Sequence, residues 1–295
     1  MLVRMFNFWY FFFILLSAGT CVGLYFLLRN RTDKTKKIVL FSILCSGLLL
    51  HFLKATFPPY SNHPEILTRD LWFVNICGAN IFFFPFFFLS KNEKLKDYMF
   101  YIGILGGVLA ILIPTEPSAK EYPWMETLDV LRYYYHHTML FTVPLLMVLL
   151  KLHKLNYRRI WFTPIMLFIT LGFIIVNQFV QSEIGCAPWR MPDFFNINYK
   201  NTSYIYGPGN DAFAVVFTAL CPKVFKIVPV GEYAGQEKYW PLIWLVVPIC
   251  ILVLPISFGL CMIFDHKRFI DDMKWLFNKI KNLFKKKTPD TTGAE

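Results

Sequence analysis

Long apolar stretches alternate with short polar segments along the whole chain. Each stretch has roughly the 17–25 residues that an α-helix needs to cross a bilayer. The pattern therefore predicts an all-α polytopic membrane protein with a bundle of seven transmembrane helices. The predicted spans are 5–28, 38–57, 70–89, 97–114, 129–151, 160–182 and 240–264.

Charge in the connections predicts how this bundle is oriented. Loops 29–37, 90–96 and 151–159, together with the tail after residue 264, hold most of the lysines and arginines. Because basic connections stay in the cytoplasm, the N-terminus is expected outside and the C-terminus inside. The first span has no obvious small-residue cleavage site, so no cleavable signal peptide is expected.

The long connection 183–239 is expected on the outer side. Its apolar piece Ala212–Val230 is interrupted by two prolines, which predicts a surface or re-entrant helix rather than an eighth span. Cys186 and Cys221 both lie in this loop. They could form a disulfide or remain two free thiols, and the sequence favours neither.

The C-terminal segment differs from the transmembrane domain, residues 1–264. Apolar residues recur at helical spacing over 265–287, and lysines fill the other face. This predicts a basic amphipathic helix lying on the cytoplasmic leaflet, with anionic lipid as its partner. Residues 288–295 are expected to be disordered.

The composition fits a multi-pass protein of the plasma membrane. The chain is 56% hydrophobic and 17% charged, whereas a soluble domain is about one quarter charged. The net charge of +11 does not predict nucleic-acid binding, because the basic residues lie beside helix ends. Seven cysteines without a CxxC pair give no metal framework, and no cofactor is expected. The sequence does not indicate an oligomeric state.

Several spans carry polar residues at one depth. Ionisable groups inside a membrane are costly and usually mark a functional site, and span 129–151 carries four of them at its start. At about 1.5 Å per residue, the polar residues of four spans fall in roughly the outer third of the bilayer. A functional cavity open to the outer side is therefore predicted. Its candidate residues are His51, Lys54, Asn75, Cys77, Asn80, Asp129, Arg132, His136, His137, Asn177, Gln178, Gln181 and Glu183.

Two chemistries fit these residues. A thiol at Cys77 with a nearby imidazole forms a nucleophile and its base, and the thiolate would attack an acyl carbonyl. The alternative is a metal site with Asp129 and histidines 51, 136 and 137 as ligands, although no HExxH-like spacing supports it. Cysteines 21, 45, 250 and 261 lack polar neighbours and are expected to pack as small hydrophobic residues.

Four short motifs resemble those of a known family. They are Tyr133–Pro144 (YYYHHTMLFTVP), Asn75–Cys77 and, more weakly, Lys54–Thr56 and Tyr206–Pro208. They resemble the YwaF family of bacterial membrane proteins and the related eukaryotic membrane acyltransferases that load polyunsaturated chains onto ether lysophospholipids. The resemblance implies cysteine-dependent acyl transfer between lipids, with Cys77 carrying the acyl group and His137 acting as base.

The remaining candidates are expected to bind substrate. Arg132 would hold a phosphate, Asn75 or Asn80 would face the oxyanion, and His136 would support Arg132. His51, Lys54, Asn177 and Gln178 complete the predicted substrate-binding set. The leading hypothesis is an integral membrane acyltransferase acting on phospholipid or lysophospholipid in the outer leaflet. The alternatives are a non-catalytic transporter or receptor-like scaffold, and a metal-dependent lipid amidase or hydrolase.

Overall fold

The computed structural model describes residues 3–62, 72–114, 126–185, 203–209, 212–232 and 234–285. Within these ranges the chain is helical and contains no strand, apart from one antiparallel bridge between Ile227 and Glu237. The α-helices of these ranges are α1 (Phe8–Leu28), α2 (Asp33–Leu53), α3 (Ile76–Leu89), α4 (Glu93–Leu112), α5 (Thr127–Leu149), α6 (Phe162–Glu183), α7 (Ala212–Leu220) and α8 (Val246–Lys285).

Five of the helical segments are long and apolar enough to cross a membrane, so the chain is a multi-pass membrane protein. They contain α1, α2, α4, α6 and α8. Helix α3 has only 14 residues, because it begins at Ile76 and not near residue 70 as the apolar pattern predicts. Helix α5 has 23 residues and carries the ionisable residues of the fifth predicted span.

Helix α5 lies at the centre of the bundle and contacts α1, α2, α3 and α4. Its closest neighbour is α4, whose glycines let the two backbones approach. A Cβ atom on Gly107 would lie only 2.7 Å from the carbonyl oxygen of His137, and one on Gly103 would overlap that of Leu140. Small residues permit this close packing between membrane helices.

Helix α1 packs on α5 through matched side chains. The rings of Phe13 and Tyr134 stack with centroids 3.9 Å apart, and the hydroxyls of Ser17 and Thr138 are 2.7 Å apart. Hydrogen bonds between side chains of neighbouring helices satisfy polar groups where water is absent. These two contacts join α1 to α5 at this level.

A charged cluster joins the start of α4 to the loop before α6. The buried carboxylate of Asp97 accepts hydrogen bonds from Arg159 Nε at 2.6 Å and from His153 Nε2 at 2.7 Å. Arg159 also donates to the carbonyl oxygen of Lys154 at 2.8 Å. These bonds pair a buried charge, as burial requires, and fix the loop against α4.

Helix α8 covers the seventh predicted span and most of the predicted tail helix. Its backbone leaves the helical conformation at Asp265, with φ −124° and ψ 16°. The Asp265 carboxylate accepts from the backbone N–H of Tyr157 at 3.1 Å, and Asp272 accepts from Arg158 Nε at 2.9 Å. Beyond the break the helix exposes large apolar side chains, including Phe277 at 68%.

The described part of connection 183–239, which we call the outer connection after its predicted side, contains one short α-helix. Helix α7 has nine residues, far fewer than a span needs, and is followed by a 3₁₀ turn at Lys223–Phe225. Its Phe217 contacts Trp244 just before α8, with ring centroids 6.4 Å apart. Cys221 is a buried free thiol. Residue 186 and the predicted disordered segment 288–295 lie outside the described residues.

Candidate active site

Most of the predicted site residues line one cavity of about 670 Å³, which we call the Cys77 cavity. Its walls come from α2 and the turn after it, from α3, α4 and α5, and from the outer connection. The second, third and fifth predicted spans therefore contribute side chains to one space. The predicted residues in its lining are His51, Lys54, Asn75, Cys77, Arg132, His136 and His137.

Cys77 is the second residue of α3 and is half-buried. Asn75 is the N-cap of this helix, because its Oδ1 accepts from the backbone N–H of Gly78 at 2.7 Å. The N-terminus of a helix carries a partial positive charge that favours an anion. A thiolate at Cys77 would lie in this field, which is one of the settings in which cysteines react.

The hydrogen bond of His137 fixes its tautomer. Its Nδ1 lies 2.8 Å from the carbonyl oxygen of Tyr133. Because a carbonyl oxygen only accepts, Nδ1 carries the proton, and Nε2 of the neutral ring holds the lone pair. The Tyr133 ring lies against the imidazole with centroids 4.2 Å apart. His137 lines the cavity, and the lone pair on its Nε2 is chemically able to accept a proton.

His136 is held differently, at both ring nitrogens. Its Nε2 donates to the carbonyl oxygen of Gly47 at 3.0 Å, so its Nδ1 is the acceptor. That Nδ1 lies 3.4 Å from Arg132 Nη1. Both ring nitrogens are occupied by these two bonds, which fits the predicted supporting role for His136.

The Arg132 guanidinium is the centre of a buried polar network. Its Nε lies 2.8 Å and its Nη2 lies 2.7 Å from the Asp129 carboxylate. Nη2 also donates to the hydroxyl of Tyr60 at 3.3 Å. Lys54 Nζ lies 5.1 Å from the centre of the same Tyr60 ring. Two cations, one of them paired with Asp129, therefore flank one tyrosine at the cavity wall.

His51 completes the wall on the α2 side. It is buried and stacks on Phe73 with ring centroids 4.8 Å apart. Its ring centroid is 6.2 Å from that of His136. The described residues contain no group of three His, Cys, Asp or Glu side chains that could hold a metal ion. Asp129 and His136, two of the ligands expected for a metal site, are bonded to Arg132 instead.

Three predicted substrate-binding residues do not line the Cys77 cavity. Asn80 Oδ1 accepts from the Tyr98 hydroxyl at 3.0 Å, and that hydroxyl also meets Thr170 at 2.9 Å. Asn80 therefore joins α3 to α4 and α6, although it lies one turn beyond Cys77 on nearly the same face of the helix.

Asn177 and Gln178 hold the outer connection and the segment before α3. Asn177 Nδ2 donates to the carbonyl oxygen of Phe73 at 3.4 Å, and Gln178 Oε1 accepts from the Tyr206 hydroxyl at 2.5 Å. Both lie near the C-terminal end of α6, but position along a helix does not show which way a side chain faces. Gln181 is also buried on this helix.

The structure adds site residues that the sequence reasoning does not name. Ser203 Oγ accepts from the backbone N–H of Ile76 at 3.2 Å, so the outer connection caps α3 next to Cys77. Tyr204 and Trp72 also line the Cys77 cavity. In the sequence, the contact between Ser203 and Ile76 is indicated only by the neighbouring Tyr206–Pro208 motif.

The comparisons with known proteins add a family relationship. The model of the TMEM164 family matches residues 4–228, a region that contains the whole Cys77 cavity. This supports the predicted membrane-protein family, under the name TMEM164 and not YwaF. Comparisons with curated proteins and with solved structures found no match.

Proposed function

The chain belongs to the TMEM164 family, and we propose that it is an integral membrane acyltransferase that moves acyl chains between phospholipids and lysophospholipids. The observation that carries this proposal is the Cys77 cavity, in which the cysteine at the start of α3 and the oriented base His137 share one space. The family supports it, because TMEM164 is the ether-lipid acyltransferase family.

Acyl transfer through Cys77 would take two steps. In the first, His137 Nε2 takes the thiol proton, the sulfur attacks the ester carbonyl of a donor phospholipid, and the C–O bond breaks. The proton passes from His137 to the leaving alkoxide oxygen, and a thioester and a lysophospholipid result. In the second, His137 takes the proton of an acceptor lysophospholipid hydroxyl, whose oxygen attacks the thioester carbonyl. The C–S bond breaks, and the proton passes from His137 to the leaving thiolate. The Cys77 thiol is regenerated, so atoms and charge balance without a cofactor.

The other residues of the cavity would bind and orient the lipid. Arg132 and Lys54 would hold the phosphate near Tyr60, and His136 would keep Arg132 in place through its own pair of bonds. The Asn75 amide nitrogen is the remaining side-chain candidate for the oxyanion on α3, since Asn80 bonds to Tyr98. Asn177 and Gln178 would act through the outer connection, which they anchor.

The membrane arrangement is part of the same proposal. We propose seven spans, formed by α1 to α6 and the first part of α8, with the N-terminus outside and the C-terminus inside a plasma membrane. The site would then open to the outer leaflet. Cysteine-accessibility labelling tests this: a label introduced at Ser118 should react from outside intact cells, and one at Asn156 should not. Labelling at Asn156 from outside would mean that the protein has the opposite orientation.

The test of the activity is a transfer assay in proteoliposomes with a donor phospholipid and a labelled lysophospholipid. Wild-type protein and Cys45→Ser should transfer the acyl chain, and Cys77→Ser should be folded but inactive. Activity that survives Cys77→Ser but is lost with a chelator would favour the metal-dependent hydrolase or amidase. An inactive wild type would favour a non-catalytic protein.

A further inference from the structure

A second cavity, about 680 Å³ in volume, shares one residue with the Cys77 cavity. It is an apolar groove between α1, α2 and α5, and we call it the α1–α2–α5 groove. Leu16, Leu50 and Leu131 are among its lining side chains, and Arg132 is the residue that also lines the Cys77 cavity. The Arg132 guanidinium therefore lies between the α1–α2–α5 groove and the Cys77 cavity.

Three hydroxyl groups of the groove are satisfied within the protein, and the Tyr134 hydroxyl, which has no hydrogen-bond partner among the described residues, is buried. Ser17 and Thr138 bond to each other at 2.7 Å, and the Thr20 hydroxyl donates to the carbonyl oxygen of Leu16 at 2.7 Å. Their polar atoms do not need a ligand as partner. The surface that the groove offers along its length is consequently hydrocarbon.

The groove has the depth of one leaflet. On α5 it extends from Leu128 to Met139, which at 1.5 Å per residue is roughly 16 Å. Half of a hydrocarbon core of about 30 Å is about 15 Å. Arg132 lies about one turn in from Leu128, so the part of the groove between Arg132 and Met139 is roughly 10 Å long on α5.

We propose that this groove binds the hydrocarbon chain that a substrate phospholipid keeps, while the chain being transferred lies in the Cys77 cavity. This rests on the proposed function. The phosphate would lie at Arg132, where the positive charges of Arg132 and Lys54 meet at Tyr60, while Nε and Nη2 of Arg132 keep their bonds to Asp129. The glycerol then bridges the two cavities at Arg132. One chain extends along α5 toward Met139, and the ester faces Cys77.

Photocrosslinking of a lysophospholipid to the full-length Cys77→Ser protein tests the proposal without activity. A diazirine at the end of the lipid chain should mark Met139 and its neighbours in the groove, and one close to the glycerol should mark Leu131. An excess of unlabelled lysophospholipid should abolish both. The probe would be behaving as ordinary bilayer lipid if it marked exposed residues such as Val176 equally, or if unlabelled lysophospholipid did not displace it. Either result would overturn the proposal.

Chain selectivity provides a second test on active protein. Leu16→Trp fills the groove from an exposed position, and Leu15→Trp on the same helix is the matched control outside it. With Leu16→Trp, the preference for acceptors with a long retained chain over a short one should fall by about tenfold or more. Leu15→Trp should keep the wild-type preference, and an unchanged preference in Leu16→Trp would contradict the proposal.

The two proposals can fail separately. A soluble acyl thioester needs no retained chain, so it should acylate Cys77 equally in the wild type and in Leu16→Trp. If Cys77 is acylated but neither crosslinks nor chain preference respond to the groove, the groove assignment is wrong and the acyltransferase proposal stands. If displaceable crosslinks form but Cys77 is never acylated, the groove binds lipid in a protein of another function.

Discussion

The close approach of α4 to α5 makes Gly107→Ala a demanding test of how His137 is positioned. The added Cβ would lie 2.7 Å from the His137 carbonyl oxygen and 3.0 Å from Phe141, whereas ordinary contacts begin at 3.4 Å. The helices would therefore have to separate by roughly 0.7 Å, and such overpacking costs about 1–3 kcal/mol. The higher helix propensity of alanine offsets at most about 1 kcal/mol of this.

With the full offset, the expected net loss for Gly107→Ala is about 0–2 kcal/mol, with a lower transfer rate because the base moves with its backbone. Misplacement by about 1 Å can lower a rate by about 100-fold. Reversible unfolding in bicelles gives the free energy, and the proteoliposome assay gives the rate. Gly172→Ala is the matched control, because nothing lies within 4 Å of its added Cβ. Equal stability and activity of the two variants would refute the packing argument.

Three further predictions concern the two histidines, the cap of α3 and the tail helix. His137→Ala should lower the transfer rate by about 100- to 10,000-fold. His136→Ala should chiefly lower the free energy of unfolding by about 1–3 kcal/mol, because it removes one hydrogen bond of Arg132 and the partner of the buried Gly47 carbonyl. The reverse pattern would contradict the assignment of the base. Asn75→Ala should lower the free energy of unfolding by about 0.5–2 kcal/mol, because it removes the cap of α3. Asn75→Asp keeps a capping oxygen and should restore that free energy. Equal unfolding free energies of the two variants would rule out the cap. A peptide of residues 266–285 should sediment with anionic but not neutral vesicles and be released by salt; equal sedimentation with both would exclude the electrostatic contribution.

The sequence predicts the helical membrane class because apolar length and charge are properties of each segment alone. It also brings His51, Cys77, Arg132 and both histidines of α5 to one depth, and the structure shows them lining one cavity. The start of α3 is missed because residues 71–74 continue the apolar run, and the capping preference of Asn75 is a weaker signal than hydropathy.

Facing directions could not be predicted in the same way. Asn80, Asn177 and Gln178 lie near the expected depth, but their partners come from other helices and from the outer connection. These contacts depend on which spans are neighbours, which no single-chain pattern encodes. The α1–α2–α5 groove was missed for the same reason, since its lining looks like ordinary lipid-facing residues in each helix separately.

The central claim is that Cys77 carries the acyl group, and trapping the thioester tests it most directly. Reconstituted protein is incubated with donor phospholipid without acceptor, quenched in acid and examined by intact-mass spectrometry. The wild type and Cys45→Ser should each gain the mass of one acyl chain, and hydroxylamine should remove it. Cys77→Ser should show no thioester. Wild-type protein without an adduct, or a hydroxylamine-sensitive adduct that persists in Cys77→Ser, would contradict the account.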